Sequence, residues 1–198
     1  MDVRKIIMRK GSNTSMELIG FEKVRDGKYL KNYELTYLNK CGREKKFEIV
    51  SHRDMTDPSQ IGTRSSGVSI AAVCGEKLLL LREFRMGVNR FVYNLCAGMI
   101  QPGETVEECV TRELYEETGL QVKQITAVLP PAYAAVAMSD AMNQLVFAEV
   151  EGVISEDHTS ENELIEAAFY SKDEVKHLVA TEPFSARAQA VAYYFACM

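Results

Sequence analysis

The sequence lacks three features that would assign it at once to a large class of proteins. It has no basic excess: its 198 residues carry a formal net charge of -5, whereas nucleic acids and anionic membranes select basic surfaces. It has no apolar run of membrane-spanning length, and its first residues lack the apolar core of a secretion signal, so none is expected. It has no cysteine pattern of a disulfide framework or metal site, because its five cysteines are odd in number and no two share a metal-binding spacing such as Cys-x-x-Cys. We therefore expect a reduced, cytoplasmic protein that binds neither nucleic acid nor membrane.

The remaining composition is that of an ordinary globular protein. Hydrophobic residues make up 46% of the chain and charged residues 26%, and the length allows one sizeable core with a small appendage. The three histidines show no metal-ligand spacing, so a histidine-based metal centre is not expected.

Alternating residues near the N-terminus predict a β-hairpin. Apolar and polar residues alternate in NYELTYL (32–38), the period of a half-buried strand. After the turn NKCG, the segment KKFEIVS brings Phe47 and Ile49 onto one face. The alternation ends at residues 54–67, a stretch rich in Gly, Ser and Thr that indicates a linker or long loop. We therefore divide the chain into an N-terminal antiparallel β appendage, 1–55, and a larger domain, 56–198.

The larger domain mixes strands with a few helices. Apolar strand patterns precede and follow a central helix, and two more helices are predicted near the end of the chain. Ser171 and Glu174 have the spacing of a capping box, and Ser185 is the expected N-cap of the last helix. The pattern indicates an α+β fold, or a mixed sheet sandwiched between helices.

The central helix has clear end signals and an unusual distribution of acids. Thr105 and Glu108 form a T-x-x-E capping box, and Gly119 is a natural C-terminal residue. At 3.6 residues per turn, an apolar stripe begins at Val106 and continues through Cys109 and Val110. The same stripe then carries three acids: Glu113, Glu116 and Glu117.

Three carboxylates so close together would raise each other's pKa in a poorly hydrated site. One guanidinium, that of the adjacent Arg112, does not balance them. Divalent cations that prefer oxygen ligands are the natural compensation. The alternative is an ordinary solvated face, and periodicity alone leaves both interpretations open.

The spacing of these residues resembles the Nudix box. Gly98 is followed after five residues by Glu104, and after seven more by RELYEETGL (112–120). The resemblance implies the Nudix fold, a mixed β-sheet sandwiched between helices. It also implies hydrolysis of a nucleoside diphosphate linked to another group X.

The resemblance also implies a role for each residue of the box. The magnesium ligands would be Glu113, Glu116, Glu117 and the carbonyl of Ala97, and manganese is the alternative metal. Arg112 and Glu104 would orient the acids, while Gly98 and Gly103 would let the loop turn tightly. Magnesium would neutralise the pyrophosphate and lower the pKa of the attacking water.

The segment before the box resembles that of ADP-ribose and nucleotide-sugar pyrophosphatases. In LLLLREFR (78–85), Arg85 matches an arginine that contacts pyrophosphate in that subfamily, and Arg82 is a second candidate. An arginine suits this role because its planar fork binds phosphate oxygens. The alternative is that both are surface arginines at a strand end.

The appendage resembles one that exchanges across a homodimer in that subfamily and stacks an aromatic residue on adenine. Relatives often use tryptophan there, but this chain has none, and Phe47 is the nearest match. The alternative is that Phe47 is a buried residue of its hairpin.

Several acids are candidates for the residue that would activate water. Relatives carry a Glu after the box where this chain has Ala141, which leaves Asp140 as the nearby acid. The later acidic loop offers Glu161, Glu163 and Glu166. The resemblance favours an ADP-ribose pyrophosphatase that yields AMP and ribose 5-phosphate. The alternatives are a Nudix hydrolase of another nucleoside diphosphate and a Nudix-like module that binds such a ligand without cleaving it.

Overall fold

The computed structural model describes residues 15–155 and 164–197. Its strands are β1 (Glu17–Asp26), β2 (Lys31–Leu38), β3 (Glu44–Ser51), β4 (Ser65–Cys74), β5 (Lys77–Arg85), β6 (Arg90–Asn94), β7 (Cys96–Met99), β8 (Gln121–Val128), β9 (Ala132–Tyr133), β10 (Met142–Glu151) and β11 (Ile165–Tyr170). Its α-helices are α1 (Val106–Thr118), α2 (Lys172–Thr181) and α3 (Ala186–Cys197). The candidate bases Glu161 and Glu163 lie outside the described residues. None of the helices in these ranges is long and apolar enough to span a membrane.

The first of two compact units comprises the described part of Met1–Arg64 together with Tyr133–Ala141. The predicted hairpin is confirmed: β2 pairs antiparallel with β3, and Tyr33 lies opposite Ile49. Strand β1 adds a third antiparallel strand that the sequence did not indicate. Irregularities in its pairing, near Gly20 and Arg25, break the alternation that periodicity would detect.

The core of this unit is small but well packed. Its buried side chains are Tyr33, Leu35, Ile49 and Met55. The rings of Phe21 and Tyr33 stack at 4.9 Å, and the Tyr33 hydroxyl accepts a hydrogen bond from the Met55 backbone at 2.6 Å. The antiparallel appendage is therefore present, while the predicted division after residue 55 stays a prediction.

The second unit, Ser65–Ala132 with Met142–Met198, is built on a mixed sheet. The strand order is β11-β5-β4-β10-β8, with β6 beside β5 and β7 beside β4. Strands β4 and β10 run parallel, whereas β5, β7, β8 and β11 join the sheet through antiparallel pairs. The prediction of a mixed sheet is confirmed.

The two faces of this sheet are covered by different helices. Along β5, Leu79 and Leu81 belong to a core cluster with residues of α1, whereas Leu78 and Leu80 belong to a cluster with α2 and α3. This division follows from the period of a strand, in which successive side chains point to opposite faces. The predicted sandwich of a mixed sheet between helices is therefore confirmed, and each side chain of β5 can be assigned to one face.

Candidate active site

Helix α1 begins and ends where its sequence predicts. The Thr105 hydroxyl accepts from the backbone N–H of Glu108 at 3.2 Å, and the Glu108 carboxylate accepts from the backbone N–H of Thr105 at 2.8 Å. This completes the predicted capping box. Gly119 ends the helix with a φ of 72°, in the left-handed region that favours glycine. These two ends define the extent of α1.

The inner stripe of α1 passes from apolar side chains to carboxylates. Its fully buried apolar members are Cys109, Val110 and Leu114. Glu117 continues the stripe and is only 9% exposed, and the Glu113 side chain is also largely covered. The Glu116 side chain, in contrast, is 52% exposed and lies at the rim. Two of the three acids expected on the inner side therefore face the interior.

Arg112 joins the loop before α1 to the acids of the helix. Its Nε and Nη2 donate to the two carboxylate oxygens of Glu104 at 2.7 and 2.9 Å, a bidentate pair. Its Nη1 donates to Glu113 at 2.7 Å and to Glu116 at 3.1 Å. Its Nη2 also donates to the Met99 carbonyl at 3.0 Å. The Arg112 guanidinium lowers the pKa of Glu104 to about 2, so Glu104 is an anionic anchor for Arg112.

Gly98 leaves room for the carboxylate of Glu113. A Cβ built on Gly98 would overlap the carboxyl carbon and both carboxyl oxygens of Glu113. Burial raises the pKa of Glu113, and the hydrogen bond from Arg112 opposes that rise. Position 98 therefore needs glycine for space, so that an acid of α1 can lie against β7.

Glu117 is a buried carboxylate that forms no ion pair with any cationic side chain among residues 15–155 and 164–197. Its Oε2 accepts from the backbone N–H of Ala97 at 3.2 Å. Burial raises the pKa of Glu117 to about 8, against the opposing effect of hydrogen bonds from Cys96 and Ala97. The negative charges of Glu83 and Glu113 raise this pKa further. A cation beside this carboxylate would reverse the shift.

These donors fit a hard divalent cation. In the described part of the chain, no three His, Cys, Asp or Glu side chains form a metal site by themselves. Magnesium does not require three, because it is commonly held by one or two carboxylates, with waters and substrate phosphates completing its shell. Glu113 and Glu117 would be the two carboxylates, and Glu117 is hydrogen-bonded to the backbone N–H of Ala97, whose carbonyl is the further predicted ligand.

One more acid on the α1 side of the sheet, Glu83, was missed by sequence reasoning. It lies on β5, is 7% exposed, and accepts from Asn94 Nδ2 at 2.5 Å and from Arg85 Nη1 at 3.3 Å. Strand alternation could have found it, because Glu83 shares the face of Leu79 and Leu81, which pack against α1. The structure thus brings Arg85 and Glu83 to the face of the sheet that carries the acidic helix.

Comparison with known proteins identifies the family. The family model described as "NUDIX domain" matches residues 63–190. The chain belongs to the Nudix family. The prediction of a Nudix pyrophosphohydrolase is thereby confirmed. Nudix hydrolases generally need a divalent cation, in agreement with the oxygen donors described above.

Individual relatives of this Nudix protein agree with the family assignment. An ADP-ribose pyrophosphatase of Bacillus subtilis is 27% identical over 179 residues, which is 88% of this chain and 90% of that protein. An NAD-capped RNA hydrolase (NudC) of Stutzerimonas stutzeri is 36% identical over 86 residues, 43% of this chain but 25% of that protein. A crystal structure of an ADP compounds hydrolase covers 90% of each chain with a TM-score of 0.72 at 20% identity, and so shares the fold.

Two other residues singled out in the Nudix sequence lie on the opposite face of the sheet. Arg82 alternates with Glu83 along β5, and its Nη1 donates to Glu166 at 2.9 Å. Its guanidinium also lies 4.0 Å from the centroid of the Phe91 ring. The structure therefore does not bring Arg82 or Glu166 together with Glu113 and Glu117. Their proposed roles in substrate binding and water activation stay predictions.

The remaining candidates of this Nudix chain belong to the first compact unit. Asp140 is buried and accepts from the backbone N–H of Gly62 at 3.4 Å, and Ala141 donates its N–H to the Ser139 hydroxyl at 3.1 Å. Phe47 is 40% exposed on β3, so it is not the buried hairpin residue of the alternative interpretation. An exposed aromatic ring is available there for contact with another molecule.

Proposed function

We propose that this Nudix hydrolase cleaves the pyrophosphate bond of ADP-ribose, yielding AMP and ribose 5-phosphate. The observation that carries the proposal is the pair of covered carboxylates, Glu113 and Glu117, on the inner face of α1. The extended similarity to the ADP-ribose pyrophosphatase of Bacillus subtilis supports the choice of substrate. We also propose magnesium as the metal and the cytoplasm as the location, where the five free thiols of the chain would be stable.

The site residues would have three roles: binding the metal, binding the pyrophosphate and holding the acids of α1 in position. Glu113, Glu117 and the Ala97 carbonyl would hold the metal, with Glu116 available at the rim. Bound magnesium would neutralise the pyrophosphate and favour deprotonation of the attacking water. The fork of Arg85 would hold pyrophosphate oxygens while water attacks phosphorus and the bridging P–O bond breaks. Arg112 and Glu104 would keep the acids of α1 in place.

Product analysis tests this proposal directly. We expect AMP and ribose 5-phosphate when the purified protein is incubated with ADP-ribose and magnesium, and no products with a chelator. Turnover of NAD or a nucleotide sugar, but not of ADP-ribose, would overturn the substrate while keeping the reaction class. The local similarity to NAD-capped RNA hydrolases makes NAD the first alternative substrate to test. Binding without turnover of any of these compounds would favour a ligand-binding module.

We further propose that the chain is a homodimer and that Phe47 stacks on the adenine bound by a second copy. Replacing Phe47 with Ala should raise KM for ADP-ribose about tenfold with little change in kcat, because stacking of a base on an aromatic ring contributes about 1–3 kcal/mol. Tyr29→Ala is the matched control, since Tyr29 is an exposed aromatic residue of the same unit. An unchanged KM in Phe47→Ala, or a monomeric mass by light scattering, would contradict the proposal.

A further inference from the structure

Glu83 is a buried carboxylate whose hydrogen-bonding needs are met by two side chains. A buried charge is costly unless donors satisfy it. Glu83 Oε1 accepts from Asn94 Nδ2 at 2.5 Å, and Glu83 Oε2 accepts from Arg85 Nη1 at 3.3 Å. Arg85 is two residues along β5, so both side chains extend from the same face of the strand.

The contact with Asn94 connects Glu83 to the start of α3. The Ser185 hydroxyl donates to Asn94 Oδ1 at 2.6 Å and accepts from the backbone N–H of Ala188 at 3.4 Å, as an N-cap does. The donor and acceptor of each of these hydrogen bonds are determined. A Glu83 carboxylate can only accept, so the Asn94 amide nitrogen donates to it and the Asn94 amide oxygen accepts from Ser185. Glu83 is therefore connected on one side to β6 and, through Asn94, to the residue that caps α3.

The second carboxylate oxygen of Glu83 binds Arg85, a long side chain that is largely exposed. The Arg85 side chain is 59% exposed, and within the described ranges it hydrogen-bonds to no side chain other than Glu83. A single contact through Nη1 leaves Nε and Nη2 of the fork available for a phosphate. Without that contact, an exposed arginine at a strand end would have most of its rotamers accessible.

We propose that Glu83 is a positioning residue that holds the guanidinium of Arg85 in place for the pyrophosphate of the substrate. The chain Ser185–Asn94–Glu83 fixes the carboxylate, and the carboxylate fixes the arginine. The inference rests on the proposed function only in that Arg85 binds the pyrophosphate. A purely structural Glu83 would stabilise the junction of β5, β6 and α3 without affecting substrate affinity.

A double-mutant cycle separates these two roles. Glu83→Gln keeps the size of the side chain and removes its charge, so we expect KM for ADP-ribose to rise about tenfold while kcat changes less than about threefold, the size expected for one hydrogen bond to a charged group. In an Arg85→Ala background the same change should alter kcat/KM by less than about twofold, because the group that Glu83 positions is gone. Glu76→Gln, at an exposed turn before β5, is the control and should match the wild type. Equal effects of Glu83→Gln in both backgrounds would overturn the proposal.

A second measurement does not depend on turnover. The Nε–H signal of Arg85 in a ¹H–¹⁵N NMR spectrum, assigned with Arg85→Lys, should report an ordered guanidinium in the wild type and a more mobile one in Glu83→Gln. The same mobility in both proteins would overturn the proposal even if the enzyme is active. If the wild type cleaves no nucleoside diphosphate, the proposed function fails, while the NMR comparison still decides whether Glu83 orders Arg85.

Discussion

Replacing Glu117 with Gln is expected to abolish turnover while the protein stays folded. Glu117 is the most buried acid of α1, and burial raises its pKa to about 8, so the neutral side chain already suits its surroundings when no cation is present. The amide keeps the size of the carboxyl group but is a weak ligand for magnesium. We expect kcat/KM to fall by at least about a hundredfold at saturating magnesium, since even indirect supports of a metal site contribute about ten- to a hundredfold.

The control for this substitution is Glu107→Gln on the outer face of the same helix. Glu107 is exposed, so its replacement should leave kcat/KM and the thermal midpoint unchanged. Without a bound cation, thermal unfolding of Glu117→Gln should occur near the wild-type temperature, because burial raises the pKa of Glu117 to about 8 and the carboxyl group is already largely neutral. Retained activity in Glu117→Gln would contradict its assignment as a metal ligand.

Replacing Gly98 with Ala should be nearly as damaging, although it adds a single methyl group. The new Cβ would occupy the space of the Glu113 carboxyl group, so either that side chain or the end of β7 must move. Displacing a metal ligand by this distance should lower kcat/KM by at least about a hundredfold. Overpacking of this kind should also lower the free energy of unfolding by about 1–3 kcal/mol. Steady-state kinetics and chemical denaturation measure the two effects separately.

Gly87→Ala provides a matched control for the added methyl group. A Cβ on Gly87 meets no atom within 4 Å, and its φ is not in the left-handed region. This variant should keep the wild-type kcat/KM and stability. If Gly98→Ala also keeps both, the close approach of Glu113 to β7 is not needed for catalysis.

The sequence predicted helix α1 well because its signals are local. The capping box at Thr105 and the glycine at position 119 lie within one turn of the ends that they define. The position of Glu116 was less well predicted. Leu114, which the predicted apolar stripe did not include, is fully buried. The buried face of the helix is therefore centred further from Glu116 than the stripe predicted.

Features that depend on contacts distant in sequence could not be predicted in the same way. The hydrogen bond between Asn94 and Glu83 needs β6 to pair with β5, and the one between Ser185 and Asn94 spans 91 residues. The opposite orientation of Arg82 was accessible from strand alternation once β5 was placed correctly. Resemblance to a motif grouped Arg82 with Arg85, whereas the geometry of a strand places residues three apart on different faces.

The contacts of the box explain why its residues stand at fixed intervals. Gly98 lies in β7, Glu104 follows after five residues, and Arg112 and Glu113 follow after seven more. Glu104 is joined to Arg112, and Glu113 lies against Gly98, so the segment closes on itself like a ring. Such a ring tolerates changes of residue type in its outward-facing loop more easily than a change of length. An inserted residue would separate Glu104 from Arg112 or Gly98 from Glu113. The acids of α1 would then be displaced although none of them had been replaced.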